Sequence, residues 1–393
     1  MESSTKAYRP EKANIEPSPA TIPIVNPTLH DFEAVIAEFR QAWDNGQVTT
    51  GVFTRRFEAA VEEKLQVPQA IMVQSCTAGL MLALRALDLT GEVILPAFSW
   101  TATAHAVVWN GLTPVFVDIL PGTLTLNPEA VAKAITPQTA ALMPVNVFGC
   151  PPEYHAFAQL AQAHGLPLIY DTAQGLGSKV QTPDGSWVYA GDFGQAEVFS
   201  MSPTKVVSAM EGGLITTTDA ELAQKLRQMR DYGKTADASD IAWLGLSARV
   251  PEINAITARH NFVHLEDLIS RRQALVALYQ ESLQGLAGIS WQRIPSGYRS
   301  SWNYLTMFID GQQSRAPRDA VYEHLQSRNI QTKKYFYPAL HLQKVYQQVG
   351  EPYRGKLPVT EAAAASGLAL PLYSHMTEET VQRVVDAVRE ILG

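Results

Sequence analysis

The sequence predicts an α/β protein: a large domain on a mostly parallel β-sheet, followed by a smaller α+β C-terminal domain. Two patterns carry this expectation. Short, continuously apolar runs alternate with helix-length stretches through the first two thirds of the chain. Such runs mark strands covered on both faces by helices. After about residue 285 the alternation gives way to one strand-like run set among helices.

The elements follow in order. Residues 1–27 are rich in Pro, Ser, Glu and Lys and read as an arm without a core of its own. Helical spacing then joins Phe32, Val35, Ile36, Phe39 and Trp43, and again Phe57, Ala60, Val61 and Leu65. A Thr-Thr-Gly break at 49–51 separates the two helices. Strand-like runs follow at 70–74, 92–98, 114–119, 140–148, 166–173, 196–201 and 213–218, with helices through 79–87, 101–111 and 157–165 between them. One long helical stretch over 251–284 links into the last part, where YLTMFI (304–309) is the strand-like run. The expected division is an arm over 1–27, a large domain over 28–265, and a linking helix with a small domain over 266–393.

Composition excludes several classes of protein. Among 393 residues, 46% are hydrophobic and 18% charged, a balance that supports a buried core and rules out bulk disorder. Lys+Arg 31 against Asp+Glu 38 leaves a net charge of −7, unsuited to general phosphate-backbone binding. Two cysteines, Cys76 and Cys150, build neither a disulfide framework nor a four-cysteine zinc site. No apolar run reaches signal-peptide or membrane-spanning length, so the chain reads as a soluble, cytoplasmic protein without nucleic-acid or membrane partners. No G-x-G-x-x-G or P-loop pattern occurs, so nicotinamide and ATP chemistry lack their phosphate loops, and no H-E-x-x-H or Cys/His cluster suggests a metal.

Ligands on such sheets bind beyond the carboxyl ends of the strands, so chemistry is sought there. VFSMSPTKVVSAMEGG (198–213) sets Lys205 alone among small and apolar residues just after a strand, with Ser200 close by. A lysine nucleophile needs its neutral amine, which partial burial favours; a solvated lysine at a helix start is the other reading. Asp171 ends the run LIYD, with Gln174 three residues on. It serves either as a helix N-cap or as the acid partner of a protonated ring nitrogen. SCTAGL (75–80) opens a helix with Cys76 and Thr77, where backbone N–H groups either bind phosphate or are merely capped. Trp100, in PAFSWTATA, stacks on a ligand ring or packs in the core. Together, a phosphate site, a stacking aromatic, an acid and a lysine compose a pocket for pyridoxal 5'-phosphate (PLP).

These segments resemble the DegT/StrS family of PLP-dependent nucleotide-sugar aminotransferases from about Ile22 to the C-terminus. SCTAGL is similar to its phosphate loop, with Cys76 where glycine is usual, YDTAQGLGS to its acid–Gln motif, and FSMSPTKVVSAMEGG to its lysine block. KKYFYPALHLQKVY and LALPLYSHMTEETVQRVVDAVREIL are family-like too. The resemblance implies the aspartate-aminotransferase-like fold (PLP fold type I). It also implies that Lys205 carries PLP and shuttles protons, that Asp171 pairs with the pyridine nitrogen, and that Gln174 reaches the ring hydroxyl. Trp100 then stacks on the ring, and Cys76, Thr77 and Ser200 hold the phosphate. The family's G-x-N-x-R segment, which reaches a neighbouring subunit's cofactor, corresponds to GLSAR, with Ser247 in place of Asn. A homodimer with shared active sites is implied. Tyr335, Tyr337 and His341 lie in a segment that resembles the substrate-facing one; packing within the small domain is the other reading.

Three function classes are weighed. The first is ping-pong transfer of an amino group from L-glutamate, by way of pyridoxamine phosphate, to a nucleotide-linked keto-sugar, with C4 of a dTDP-4-keto-6-deoxyhexose as the best match. The second is a dehydratase or lyase on the same fold, and the third a non-catalytic relative. Retention of Lys205 opposes a dehydratase that resembles this family, and retention of Asp171, Trp100 and Lys205 opposes the third class.

Overall fold

A computed structural model describes residues 21–393. Helix α1 (Phe32–Asp44) precedes α2 (Val52–Leu65), whose stripe Phe53, Phe57, Val61 and Leu65 is buried. Its first turn is capped from far along the chain. The Glu252 carboxylate accepts from the N–H groups of Gly51 (2.8 Å), Phe53 (2.8 Å) and Thr54 (3.1 Å). A side chain at Gly51 would meet that carboxylate at 2.8 Å, so glycine lets the two approach.

The central sheet comprises β1 (Gln69–Val73), β2 (Glu92–Pro96), β3 (Thr113–Val117), β4 (Thr139–Leu142), β5 (Ile169–Asp171), β8 (Ala196–Ser200) and β9 (Gly213–Thr217). Ladders give the orders β3-β2-β4 and β5-β8-β9-β1, and bridges Leu142–Leu168 and Val145–Asp171 join the two into one sheet. Strands β6 (Lys179–Gln181) and β7 (Trp187–Tyr189) form a small ribbon with β11 (Tyr298–Arg299). Helices α3 (Cys76–Ala86), α4 (Thr101–Trp109), α5 (Pro128–Ala134), α6 (Tyr154–His164) and α7 (Ala220–Met229) lie between the sheet's strands or follow its last.

The sheet is mostly parallel, as expected, but β9 runs antiparallel to both β8 and β1. The reason is local. Residues 201–212 hold no helix, and a parallel return needs a crossover of about a dozen residues or more, usually helical. The chain therefore turns straight back, and the turn contains Lys205.

The helical stretch over 251–284 is not one helix. It breaks into α8 (Glu252–Phe262) and α9 (Leu265–Ser282), with His264 outside helical geometry. Asn261, in the last turn of α8, is held from two sides: its side-chain carbonyl accepts from the His30 N–H at 2.9 Å and its amide donates to Ser208 O at 2.7 Å. Glu266 and Asp267 then suit the N-terminal dipole of the new helix.

Helix α9 spans two cores. Leu265 and Leu268 join the core under the large sheet, whereas Leu275, Val276 and Tyr279 join the C-terminal one. Between them Arg272 is buried without a carboxylate. It donates to Ser374 Oγ (2.9 Å) and to the carbonyls of Trp302, Asn303 (both 3.2 Å) and Leu372 (3.4 Å). Burial lowers its pKa to about 10. The C-terminal core packs the antiparallel sheet β10 (Ile289–Trp291), β12 (Leu305–Ile309) and β13 (Gly367–Leu370) against α10 (Arg318–Ser327) and α13 (Glu378–Leu392). The short α11 (Gln347–Gly350) and α12 (Pro358–Ser366) complete this part. Ile22 pairs with Ile330, so the first described residues lie along the C-terminal part. The rest of the expected arm, 1–20, falls outside the described residues.

Candidate active site

Strand ends converge on a cavity of roughly 300 Å³. Its floor is Asp171, the last residue of β5, fully buried. Thr103 donates to its Oδ2 at 2.6 Å and the Ala173 N–H to its Oδ1 at 3.1 Å. Burial raises the carboxyl's pKa; the Thr103 and Ala173 hydrogen bonds and the Lys205 charge offset only part of that rise.

Helix α3 points its N-terminus at the same cavity. Ser75 caps it, accepting from the Ala78 N–H at 3.2 Å, which leaves the Cys76 and Thr77 N–H groups unclaimed by the helix. Gly213 makes this possible, because a side chain there would lie 2.4 Å from the Ser75 carbonyl carbon. The Cys76 thiol lies 4.0 Å from Asp171 Oδ1 and 3.7 Å from Val198 O. Burial and the Asp171 charge push its pKa up, which keeps the thiol neutral.

On the β8–β9 turn Ser200 is buried at the strand end and Lys205 is half-buried. The Lys205 ammonium lies over the Tyr304 ring, 5.6 Å from its centroid. Gln174 is oriented by the Phe148 N–H, which donates to its Oε1 at 2.7 Å. Trp100 is 57% exposed at the N-cap of α4, edge-on to Tyr335 with ring centroids 6.3 Å apart.

Cys76, Thr77, Trp100, Asp171, Gln174, Ser200, Lys205 and Tyr335, all singled out in the sequence, thus line one cavity. Three other expected residues lie elsewhere. Tyr337 lines an adjoining cavity. His341 is corrected: it is buried against Phe116 with Nε2 3.1 Å from Glu361, and lines neither cavity. Burial holds its imidazole below the usual pKa despite Glu361. Ser247 is exposed and outside this chain's own cavity.

Sequence reasoning missed Thr103, Asn146, Tyr304 and Lys333, all but Thr103 on the cavity wall. Thr103 stands four residues after Ser99, whose hydroxyl lies 2.7 Å from its own; that helical spacing was the available signal. Asn146 follows Val145, which bridges to Asp171, so its place beside the floor emerges only when the strands pair.

The donor set fits a phosphorylated pyridine bearing an aldehyde. A buried carboxylate of raised pKa gains from a cationic ring nitrogen. Free helix N–H groups beside the Ser200 hydroxyl suit a phosphate. Asn146 is buried with both amide atoms unpartnered, leaving polar capacity for a ligand. Among the described residues no cluster of His, Cys, Asp and Glu could hold a metal ion, and no helix is long and apolar enough to cross a membrane.

Comparison with known proteins agrees. Residues 30–389 match the model of the DegT/DnrJ/EryC1/StrS aminotransferase family. The chain is 32% identical over 365 residues to a dTDP-4-amino-4,6-dideoxy-D-glucose transaminase of Escherichia coli, covering 93% of this chain and 97% of that one. A UDP-N-acetyl-3-dehydro-alpha-D-glucosamine 3-aminotransferase of Acidithiobacillus ferrooxidans is 32% identical over 377 residues, 94% of this chain and 98% of that one. Among solved structures, DesI in the presence of its TDP-sugar product superposes with a TM-score of 0.85 at 33% identity, covering 94% of this chain and 92% of that one.

Proposed function

The chain belongs to the DegT/DnrJ/EryC1/StrS aminotransferase family, and we propose that it moves an amino group from L-glutamate to a nucleotide-linked keto-sugar with PLP as cofactor. One observation carries this reading: Asp171, Lys205 and the N-terminus of α3 face one cavity. The similar enzymes named above act on dTDP- and UDP-linked sugars, at C4 and C3 respectively. C4 of a dTDP-linked 4-keto-6-deoxyhexose remains the favoured substrate.

Bound in this cavity, PLP would supply an electron sink that lets a C–H bond next to nitrogen ionise. Asp171 would keep the ring nitrogen protonated, with Thr103 and the Ala173 N–H holding the carboxylate in place. The Cys76 and Thr77 N–H groups and the Ser200 hydroxyl would hold the phosphate, Gln174 the ring hydroxyl, and Trp100 one ring face. Lys205 Nζ would carry the cofactor's carbonyl carbon and, once released, act as the base that moves the proton. A positioned general base contributes roughly 10²–10⁴-fold.

The working unit in this reading is a cytoplasmic homodimer with two shared sites. Ser247 sits in a surface segment beside Ile241 and Leu244, 57% and 72% exposed. Trp243 instead anchors that segment on its own body, donating to Gln228 Oε1 at 2.9 Å under the Lys225 ammonium. Exposed apolar side chains of this kind mark a contact surface. The expected division into domains, at about residues 27 and 265, belongs to the same reading. Incubating the enzyme with PLP, L-glutamate and a panel of dTDP- and UDP-linked keto-sugars tests it. An aminated sugar detected by mass is expected; glutamate consumption with none of them would refute the acceptor.

A further inference from the structure

A free lysine in water keeps its proton to about pH 10.4, and it is no base until that proton leaves. A carboxylic acid, near pH 4, is mismatched with an ammonium by about six units, whereas a phenol near 10 is matched. The cavity that holds Lys205 is lined by two carboxylates, Asp171 and Glu211, and by two phenols, Tyr304 and Tyr335. Asp171 is committed to Thr103 and the Ala173 N–H, and Glu211 lies exposed.

Tyr304 comes from the C-terminal part, one residue before β12, and is 5% exposed. Its N–H donates to Phe148 O at 3.4 Å, and its ring stands edge-on to Phe148 with centroids 6.3 Å apart. The backbone and one edge of the ring are thereby fixed. The Lys205 ammonium lies over this ring, 5.6 Å from the centroid. The Tyr335 ring packs against it at 4.9 Å and carries the Lys333 ammonium over its own face at 5.8 Å. Two phenols thus touch, each beneath a lysine, and Arg272 of α9 is a third cation whose field reaches Tyr304.

The two phenols are not equivalent. Burial raises the pKa of both. At Tyr304 the Lys205 charge, hydrogen bonds from Thr204 and Tyr335, and the Lys333 charge together outweigh burial, so its pKa falls below the usual 10. Tyr335 donates to Tyr304 and holds its own proton more tightly than usual. Of the two, only Tyr304 is poised to exchange a proton.

We propose that Tyr304 is the proton partner of Lys205, a further acid–base residue of the amino-transfer reaction. The inference rests on the aminotransferase reading above. When Lys205 is free, an N–H bond of its ammonium breaks as an O–H bond forms on the Tyr304 phenolate, leaving a neutral amine and a neutral phenol. The reverse transfer restores both, so no proton or co-reactant is consumed. The flexible lysine stem lets the amine move along the ring to the hydroxyl. Both substrates meet the same amine, so the pair serves both halves of the reaction.

The first test needs neither substrate nor cofactor. Phenolate absorbance of the full chain freed of PLP is followed against pH for wild type, Tyr304→Phe, Tyr335→Phe and Lys205→Met. Wild type should show one phenol titrating below about pH 10, absent from Tyr304→Phe and moved upward in the other two variants. The second test follows the L-glutamate half-reaction of the PLP-loaded enzyme by the cofactor's absorbance. Tyr304→Phe, which keeps the ring, should slow it about 10²-fold with PLP occupancy unchanged. Deuterium on the donor's amino-bearing carbon should slow this variant by a larger factor than it slows wild type. No phenol lost below pH 10 in Tyr304→Phe, or a half-reaction within about twofold of wild type, would overturn the proposal and leave the aminotransferase reading standing. A slowed variant with reduced PLP occupancy and an unchanged isotope effect would make Tyr304 a packing residue and overturn it too. A wild type inert toward L-glutamate, with Tyr304 titrating normally, would remove both.

Discussion

Thr103 donates a 2.6 Å hydrogen bond to Oδ2 of Asp171, from the first turn of α4 to the end of β5. The bond favours the ionised carboxylate in a place where burial favours the neutral acid. A hydrogen bond to a charged group contributes about 1.5–3 kcal/mol. Thr103→Val keeps the shape and removes that contribution, so the carboxyl should hold its proton more tightly. The acid limb of the activity–pH profile should move up by about one pH unit or more. An unmoved limb would show that Asp171 does not set it.

Lys205→Ala is expected to lose turnover by more than the roughly 10²–10⁴-fold of a positioned base, since the carrier of the cofactor goes as well. The covalent absorbance band of bound PLP should vanish while circular dichroism stays native. Glutamate-dependent activity in this variant would remove Lys205 from the site.

Asp171→Asn separates chemistry from binding. A neutral amide cannot keep the ring nitrogen protonated, whereas the N–H groups of Cys76 and Thr77 remain for the phosphate. PLP occupancy should persist with turnover down by orders of magnitude. Near-normal turnover would leave Asp171 a structural residue only.

Glu197 offers a pH test away from the cavity. It is fully buried, accepting from Thr172 Oγ1 (2.8 Å), Tyr154 Oη (3.0 Å) and the N–H groups of Gly191 (2.7 Å) and Phe193 (3.0 Å). Burial outweighs these bonds and raises its pKa from 4.5 to about 7. The folded state thus binds the proton more tightly than the unfolded one. Its stabilising contribution is complete below about pH 4.5 and is lost as pH rises through about 7. That amounts to about 3 kcal/mol. Glu197→Gln should flatten this part of the pH dependence of the denaturation midpoint. An unchanged slope between pH 5 and 8 would count against it.

Subunit mixing tests the shared site. Lys205→Ala and Ser247→Trp subunits, each impaired alone, should recover part of the activity together if Ser247 reaches a neighbouring site. No recovery despite demonstrated subunit exchange, or a fully active monomer by light scattering, would refute it.

The sequence by itself determined the strand ends, and with them Cys76, Trp100, Asp171 and Lys205. Apolar runs and the small residues that stop them are local patterns, and a parallel sheet gathers its strand ends on one side. What only the tertiary structure decided depends on segments far apart in the chain. Thr103 meets Asp171 across 68 residues, and Glu252 caps α2 across about 200. The direction of β9 was hidden because an antiparallel return and a parallel crossover use the same apolar run, and only the absent helix distinguishes them. His341 looked like a substrate residue because a polar aromatic stretch does not reveal which side chains turn inward. Its partner Glu361 and its cover Phe116 arrive from other elements, and packing against them, rather than residue type, set its place.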